Sequence, residues 1–143
     1  MKPFEDKLTY GVANTALVKH NDKILALEET SLPFEIKVVD SDDGQFSIES
    51  VGYENFDGQL KHACSAHPKV DAKTGELVTF GYDVTKCQGT WLHYSLFDKD
   101  GNLTNYQKID LRGPVMIHDF VITENFVIFD ECPMEFDLTR PLF

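Results

Sequence analysis

Two histidines of this chain, His67 and His118, lie among small and apolar residues that favour β-strands. His118 lies between Met116 and Phe120 in a predicted strand, and His67 lies in the stretch 65–71, which has a similar strand–turn–strand character. A buried imidazole must satisfy two ring nitrogens where water is scarce. A metal ion on one nitrogen and a carboxylate or backbone carbonyl on the other would satisfy both. A single histidine of this kind is more often a hydrogen-bonded core residue, but a second one favours metal binding.

The other titratable residues near apolar segments have simpler interpretations. His20 lies in a predicted turn and is expected to be solvated, and His62 follows the polar stretch 59–61 and is expected at the surface. His93 occupies the exposed face of an alternating strand. Glu29 ends a strongly apolar strand, so it is either a solvated carboxylate at a turn or an acceptor for the N–H of a ligand histidine, which would fix the tautomer of that histidine.

Few other patterns in the sequence indicate chemistry. The aspartate-rich turns around Asp40 and Asp98 resemble the opening of an EF-hand loop. They lack its glycine and glutamate spacing and its flanking helices, so they are predicted to be solvated hairpin turns. The chain has no G-x-S-x-G, G-x-G-x-x-G, phosphate-binding loop, H-E-x-x-H or H-x-H motif. Nucleophilic catalysis and nucleotide binding are therefore not favoured.

Composition limits the partners and the compartment. The 143 residues have the length of a single domain, residues 1–143. The net charge of -11 argues against binding to nucleic acid and against electrostatic attachment to anionic lipid. No apolar run approaches the roughly 20 residues that cross a bilayer, and residues 1–7 lack the apolar region of a signal peptide. Cys64, Cys87 and Cys132 are odd in number and far apart. They predict no disulfide framework, and hence a reducing, cytoplasmic location.

Turns rich in glycine, asparagine and aspartate separate short β-forming segments. No window sustains a helical period, whereas 34–38 and 92–96 alternate as half-buried strands do. We therefore predict an all-β fold, an antiparallel meander of about ten strands that suits a β-sandwich or a set of four-stranded propeller blades. The predicted strands are Ala16–Lys19, Lys23–Glu28, Phe34–Val39, Phe46–Val51, Cys64–His67, Leu77–Tyr82, Leu92–Phe97, Leu103–Ile109 and a hairpin within Pro114–Phe129.

Several longer motifs resemble the carotenoid cleavage oxygenase family, which includes plant epoxycarotenoid dioxygenases and the animal retinoid isomerase. They run in the family's order over nearly the whole chain, and those around His67 and His118 are long and specific. The matching stretches are 13–18, 25–29, 56–62, 66–71, 74–77, 113–120 and 122–126.

The resemblance implies a seven-bladed β-propeller with Fe(II) on its axis, held by four histidines, three of which bond to glutamates behind them. By motif, His67 and His118 match the first two iron ligands, and Glu29 matches the glutamate that we pair with His118. Thr15 matches a position near the vacant coordination site. The remaining ligands of the family belong to later blades. The chain is therefore interpreted as an internal fragment of about two to two and a half blades.

The implied activity is the cleavage of a carbon–carbon double bond in a carotenoid or apocarotenoid with O2, which gives aldehyde or ketone products. The implied partners are an apolar polyene and O2, and the isolated fragment is expected to be inactive. For the full-length protein, peripheral membrane contact and a plastid location stay open, as do the oligomeric state and the particular polyene. Two other interpretations remain. One is a non-catalytic propeller fragment that acts as a binding module, and the other is a small zinc-binding β-domain, whose spacing fits no zinc pattern.

Overall fold

The computed structural model describes residues 8–40, 44–82, 91–113, 115–132 and 134, which form ten strands and no α-helix. The strands are β1 (Ala16–His20), β2 (Lys23–Leu27), β3 (Phe34–Asp40), β4 (Phe46–Tyr53), β5 (Lys69–Val70), β6 (Leu77–Tyr82), β7 (Trp91–Phe97), β8 (Leu103–Asp110), β9 (Phe120–Ile122) and β10 (Val127–Phe129). Within these residues no helix has the length and apolarity that crossing a membrane requires. Predictions made for residues 1–7, residues 41–43, Cys87, Pro114 and residues 135–143 lie outside the described residues.

The strands form three antiparallel sheets in which neighbours along the chain are also neighbours in space. The first sheet has the order β1-β2-β3-β4, the second has the order β5-β6-β7-β8, and β9 and β10 form a hairpin. A four-stranded antiparallel meander is the topology of a propeller blade. The predicted all-β antiparallel fold of about two to two and a half blades is therefore confirmed.

The turn between β1 and β2 shows how the sequence reverses the chain. Asn21 and Asp22 lie between the paired residues His20 and Lys23 and have φ of 47° and 57°, as a two-residue type I′ turn requires. The side-chain amide of Asn21 also donates to the carbonyl oxygen of Asp100 at 2.7 Å. This bond joins the turn of the first sheet to the β7–β8 turn of the second sheet.

The β7–β8 turn, one of the two turns compared with a calcium loop, is closed by its own hydrogen bonds. Asp98 Oδ1 accepts the backbone N–H groups of Asp100 at 3.0 Å and of Asn102 at 2.8 Å, and the Asn102 side-chain amide donates to Asp98 Oδ2 at 2.9 Å. These bonds, with that from the Asn102 side chain foremost, hold the pKa of Asp98 below its ordinary value. The carboxylate therefore serves a hairpin turn, as the sequence predicts.

Two apolar clusters hold the three sheets side by side. In the first cluster Phe56, which follows the first sheet, stacks on Phe97 of β7 with ring centroids 4.2 Å apart. In the second cluster Phe80 of β6 meets Phe120 of β9 edge-on at 5.2 Å. Burial of each such ring contributes about 1.5–3 kcal/mol. The second contact places β9 against β6 without any strand pairing between them.

The predicted strand Cys64–His67 is wrong. These residues are irregular, and the strand that follows, β5, begins only at Lys69. Pro68 lacks a backbone N–H for ladder pairing, and the backbone N–H of His67 donates instead to Ser65 Oγ at 3.0 Å. His118 likewise precedes β9 and is not inside a strand. Both candidate ligand histidines therefore lie on short irregular segments that lead into a strand.

The predicted exposure of two other histidines is also wrong. His62 is only 6% exposed, since its Nδ1 lies 2.7 Å from the Ala63 carbonyl oxygen and its Nε2 lies 2.7 Å from Ser95 Oγ. Burial lowers the pKa of His62 to about 4. His20 ends β1 and is 4% exposed, with its ring 6.0 Å from that of Phe56. Neighbouring turns and aromatic rings cover both side chains, and sequence position does not reveal such coverage.

Candidate metal centre

Three residues that flank strands of three different sheets meet at one point of the fold. Glu29 follows β2 of the first sheet, His67 precedes β5 of the second, and His118 precedes β9 of the hairpin. Their potential ligand atoms all lie within 4.8 Å of one another, and no other such group of three is found among the described residues. The structure therefore brings together three of the four residues that the sequence nominated.

The two imidazoles face each other through their Nε2 atoms. These atoms are 3.1 Å apart, and the rings meet edge-on at 75° with centroids 4.7 Å apart. Two neutral rings can share a single hydrogen bond in this arrangement, in which one nitrogen donates and the other accepts. Alternatively, both lone pairs can be directed at one ion, as in histidine metal sites.

Glu29 selects between the tautomers of His118. Its Oε1 lies 2.7 Å from His118 Nδ1, and the two side chains are 25% and 54% exposed. A carboxylate at this distance accepts a hydrogen bond from Nδ1–H, so the neutral ring keeps a lone pair on Nε2. That lone pair is on the nitrogen that faces His67. The donor set of two imidazoles and a supporting carboxylate therefore fits a first-row transition metal.

Thr15 is not part of the group formed by Glu29, His67 and His118. It directly precedes β1, its side chain is exposed, and its backbone N–H donates to the Leu27 carbonyl oxygen at 2.9 Å. This bond places Thr15 beside the end of β2, two residues before Glu29. Thr15 is therefore a neighbour of the segment that carries Glu29.

Further residues that the sequence reasoning did not nominate surround the centre. Burial, followed by the charge of Glu29, raises the pKa of Tyr82, and a hydrogen bond from the backbone of Ile117 opposes this rise. Lys69 Nζ lies 2.7 Å from Asp119 Oδ1, and this hydrogen bond is the main cause of the lowered pKa of Asp119. A signal was present in the sequence, because a lysine and an aspartate each lie within two residues of a candidate ligand.

The fold is that of part of a β-propeller protein, and its candidate centre carries two histidines and a glutamate. The family model for RPE65, described as retinal pigment epithelial membrane protein, matches residues 2–142. The chain therefore belongs to the RPE65 and carotenoid cleavage oxygenase family. The resemblance seen in the sequence motifs is confirmed.

Relatives with curated names agree with this assignment. The chain is 41% identical over 136 residues to carotenoid 9,10(9',10')-cleavage dioxygenase 1 of Arabidopsis thaliana, and the match covers 95% of this chain and 24% of the relative. It is 43% identical over 130 residues to 9-cis-epoxycarotenoid dioxygenase NCED6, chloroplastic, of the same plant, with coverage of 91% and 22%. The chain thus spans about a quarter of the length of these relatives.

Solved structures show the same fold. The lignostilbene dioxygenase of Pseudomonas brassicacearum superposes with a TM-score of 0.77 at 34% identity, covering 91% of this chain and 26% of that one. A mutant of the Synechocystis apocarotenoid oxygenase superposes with a TM-score of 0.67 at 26% identity, with coverage of 82% and 24%. Both likenesses extend over most of the chain.

Proposed function

We propose that this chain is part of an Fe(II)-dependent dioxygenase that cleaves a carbon–carbon double bond of a carotenoid or apocarotenoid with O2. The products would be aldehydes or ketones. The observation that carries the proposal is the 3.1 Å approach of His67 Nε2 to His118 Nε2, with Glu29 on the far nitrogen of His118. The names of the relatives, which are carotenoid cleavage dioxygenases, supply the reaction class.

Each of the four nominated residues has a distinct role in this proposal. His67 and His118 supply two imidazole ligands, and Glu29 holds His118 in the tautomer that leaves Nε2 free to bind. Thr15 is assigned by motif alone, because it matches a position near the vacant coordination site in the family, whereas in the structure it is not part of the group of three. When bound, iron would supply the O2 chemistry, whereas the protein groups orient ligands and substrate and need not transfer protons.

The other histidines of the described residues do not complete a four-histidine set. Both ring nitrogens of His62 are engaged, and Nδ1 of His93 lies 2.8 Å from the Tyr106 hydroxyl. His20 is packed against Phe56 beside the β1–β2 turn. The two remaining ligands implied by the family would therefore come from other parts of the full-length enzyme. Residues 1–143 would form one part of its propeller.

The partners and the location follow from the same proposal. An apolar polyene and O2 would be the substrates, and the net charge of -11 disfavours nucleic acid as a partner. The cytoplasm is the proposed location of the chain. A plastid is the alternative, since the name of one relative is chloroplastic.

The proposal is tested by removing one imidazole at a time. We expect His67→Ala and His118→Ala each to abolish measurable Fe(II) binding by this chain under anaerobic conditions, and to abolish cleavage in the full-length enzyme. His93→Ala is the matched control, because it removes an imidazole whose hydrogen bond is to Tyr106. Unchanged iron content in either ligand variant would refute the assignment.

A further inference from the structure

An ion pair joins the two segments that carry the candidate ligands. Lys69 lies two residues after His67, and Asp119 directly follows His118. Lys69 Nζ approaches Asp119 Oδ1 to 2.7 Å. The pair therefore bridges the same two segments as the facing imidazoles, a short distance along the chain from them.

Each end of this bridge is anchored to a strand. Lys69 is the first residue of β5 and pairs with Val78 of β6. Asp119 Oδ1 also accepts the backbone N–H of Phe120, the first residue of β9, at 2.8 Å. The ammonium of Lys69 lies 5.5 Å from the centroid of the Phe120 ring, which is 4% exposed. Any movement of one segment against the other must therefore stretch this contact.

Strand pairing cannot set the spacing of the two imidazoles. β5 and β9 belong to different sheets, and both histidines lie outside the strands. The side chains of Lys69 and Asp119 are 31% and 54% exposed, and ion pairs this exposed contribute little to overall stability. The position of the pair, beside the ligands and across the junction of two sheets, therefore matters more than its energy.

We propose that Lys69 and Asp119 are positioning residues that hold His67 and His118 at the separation needed to bind one metal ion. The inference rests on the proposed function, since it assumes that both imidazoles bind metal. It adds to that function an ion pair that orients the ligands and contacts neither the metal nor the substrate. In other metal sites, residues that orient the ligands without binding the metal have this role, and their loss weakens metal binding although every ligand remains.

The test removes the charge at each end and compares metal affinity. Lys69→Met and Asp119→Asn are each expected to weaken Co²⁺ binding by this chain by about tenfold, in the range typical of residues that orient ligands. The double variant should lose no more than either single one, because both changes break one contact. Lys69→Arg keeps the cation and should restore affinity to within about threefold, since surface substitutions that keep an interaction have small effects.

A matched control comes from a second lysine–aspartate pair. Lys99 Nζ also lies 2.7 Å from an aspartate oxygen, that of Asp100, but this pair lies in the β7–β8 turn. Lys99→Met therefore removes the same charge without touching the histidine segments. If Lys69→Met weakens Co²⁺ binding no more than Lys99→Met does, the inference is wrong.

A second readout separates this inference from the proposed function. The nuclear Overhauser effect between the two imidazole rings reports their proximity without metal, and it should weaken in Lys69→Met but not in Lys99→Met. An unchanged ring–ring signal in Lys69→Met would overturn the positioning role. If His67→Ala binds Co²⁺ as well as wild type does, the proposed function fails instead.

Discussion

Replacement of Glu29 by glutamine tests how the protein orients a candidate ligand. The glutamine keeps an oxygen that can accept a hydrogen bond from His118 Nδ1–H, but it lacks the negative charge. The contact is short, 2.7 Å between Glu29 Oε1 and His118 Nδ1. The substitution therefore removes the ionic part of a hydrogen bond and changes side-chain volume little.

The size of the effect follows from the kind of bond. Hydrogen bonds to charged groups contribute about 1.5–3 kcal/mol and neutral ones about 0.5–1.5 kcal/mol, a difference of roughly 1.3 kcal/mol. Because the two side chains are 25% and 54% exposed, water screens part of the charge. We therefore expect metal affinity to fall by about tenfold, the low end of the range for such residues. Glu29→Ala, which leaves Nδ1 without an acceptor, should cost more.

The assay is an anaerobic Co²⁺ titration followed by absorbance, on wild type, Glu29→Gln and a control. Glu76→Gln is the control, because it removes one negative charge from a carboxylate bonded to Thr74. Both variants then have the same net charge. Equal affinities of Glu29→Gln and Glu76→Gln for Co²⁺ would show that Glu29 does not orient His118.

Two further predictions concern the scaffold. Gly81→Ala should lower the free energy of unfolding by about 1–3 kcal/mol, as measured by urea denaturation, because a methyl group there would overlap the Ala63 carbonyl oxygen. Gly113→Ala is the control and should lower this free energy far less, because no atom outside its chain neighbours lies within 4 Å of its Cβ. The pKa of His62 is about 4 in the folded protein and 6.5 in the unfolded chain. Between pH 6.5 and pH 4 the unfolded state therefore binds a proton at His62 that the folded state does not bind, and stability falls as the pH falls. Wild type should therefore lose about 3 kcal/mol more stability over this window than His62→Gln does, and equal losses would contradict the burial of His62.

Local sequence signals located most of the strands because the turns are encoded locally. Asn21 and Asp22 mark a two-residue hairpin, and the structure gives both the positive φ that this turn demands. The prediction for Cys64–His67 was wrong because Pro68 and the Ser65 side chain divert the backbone. Apolar character alone does not distinguish a buried irregular segment from a strand.

The burial of His62 and the meeting of the three site residues depend on tertiary contacts, which local sequence patterns do not predict. The polar residues before His62 in the sequence predicted a surface position. In the structure His62 is buried, and its Nε2 is hydrogen-bonded to Ser95 of β7. The meeting of Glu29, His67 and His118 could be expected only through the family motifs, since no local pattern relates residues from three sheets. The sequence places Lys69 and Asp119 beside the candidate ligands, but their contact depends on how two sheets pack together, which the sequence spacing does not predict.

The positions of the two imidazoles have a mechanical consequence. They are 51 residues apart in sequence, and each lies on a segment that leads into a different sheet. An ion bound by both would close this long segment into a ring, as a cross-link does, and would reduce the freedom of the unfolded chain. A bound metal should then link the two sheets, and its removal should weaken the contact between the segments that carry His67 and His118 before either sheet unfolds.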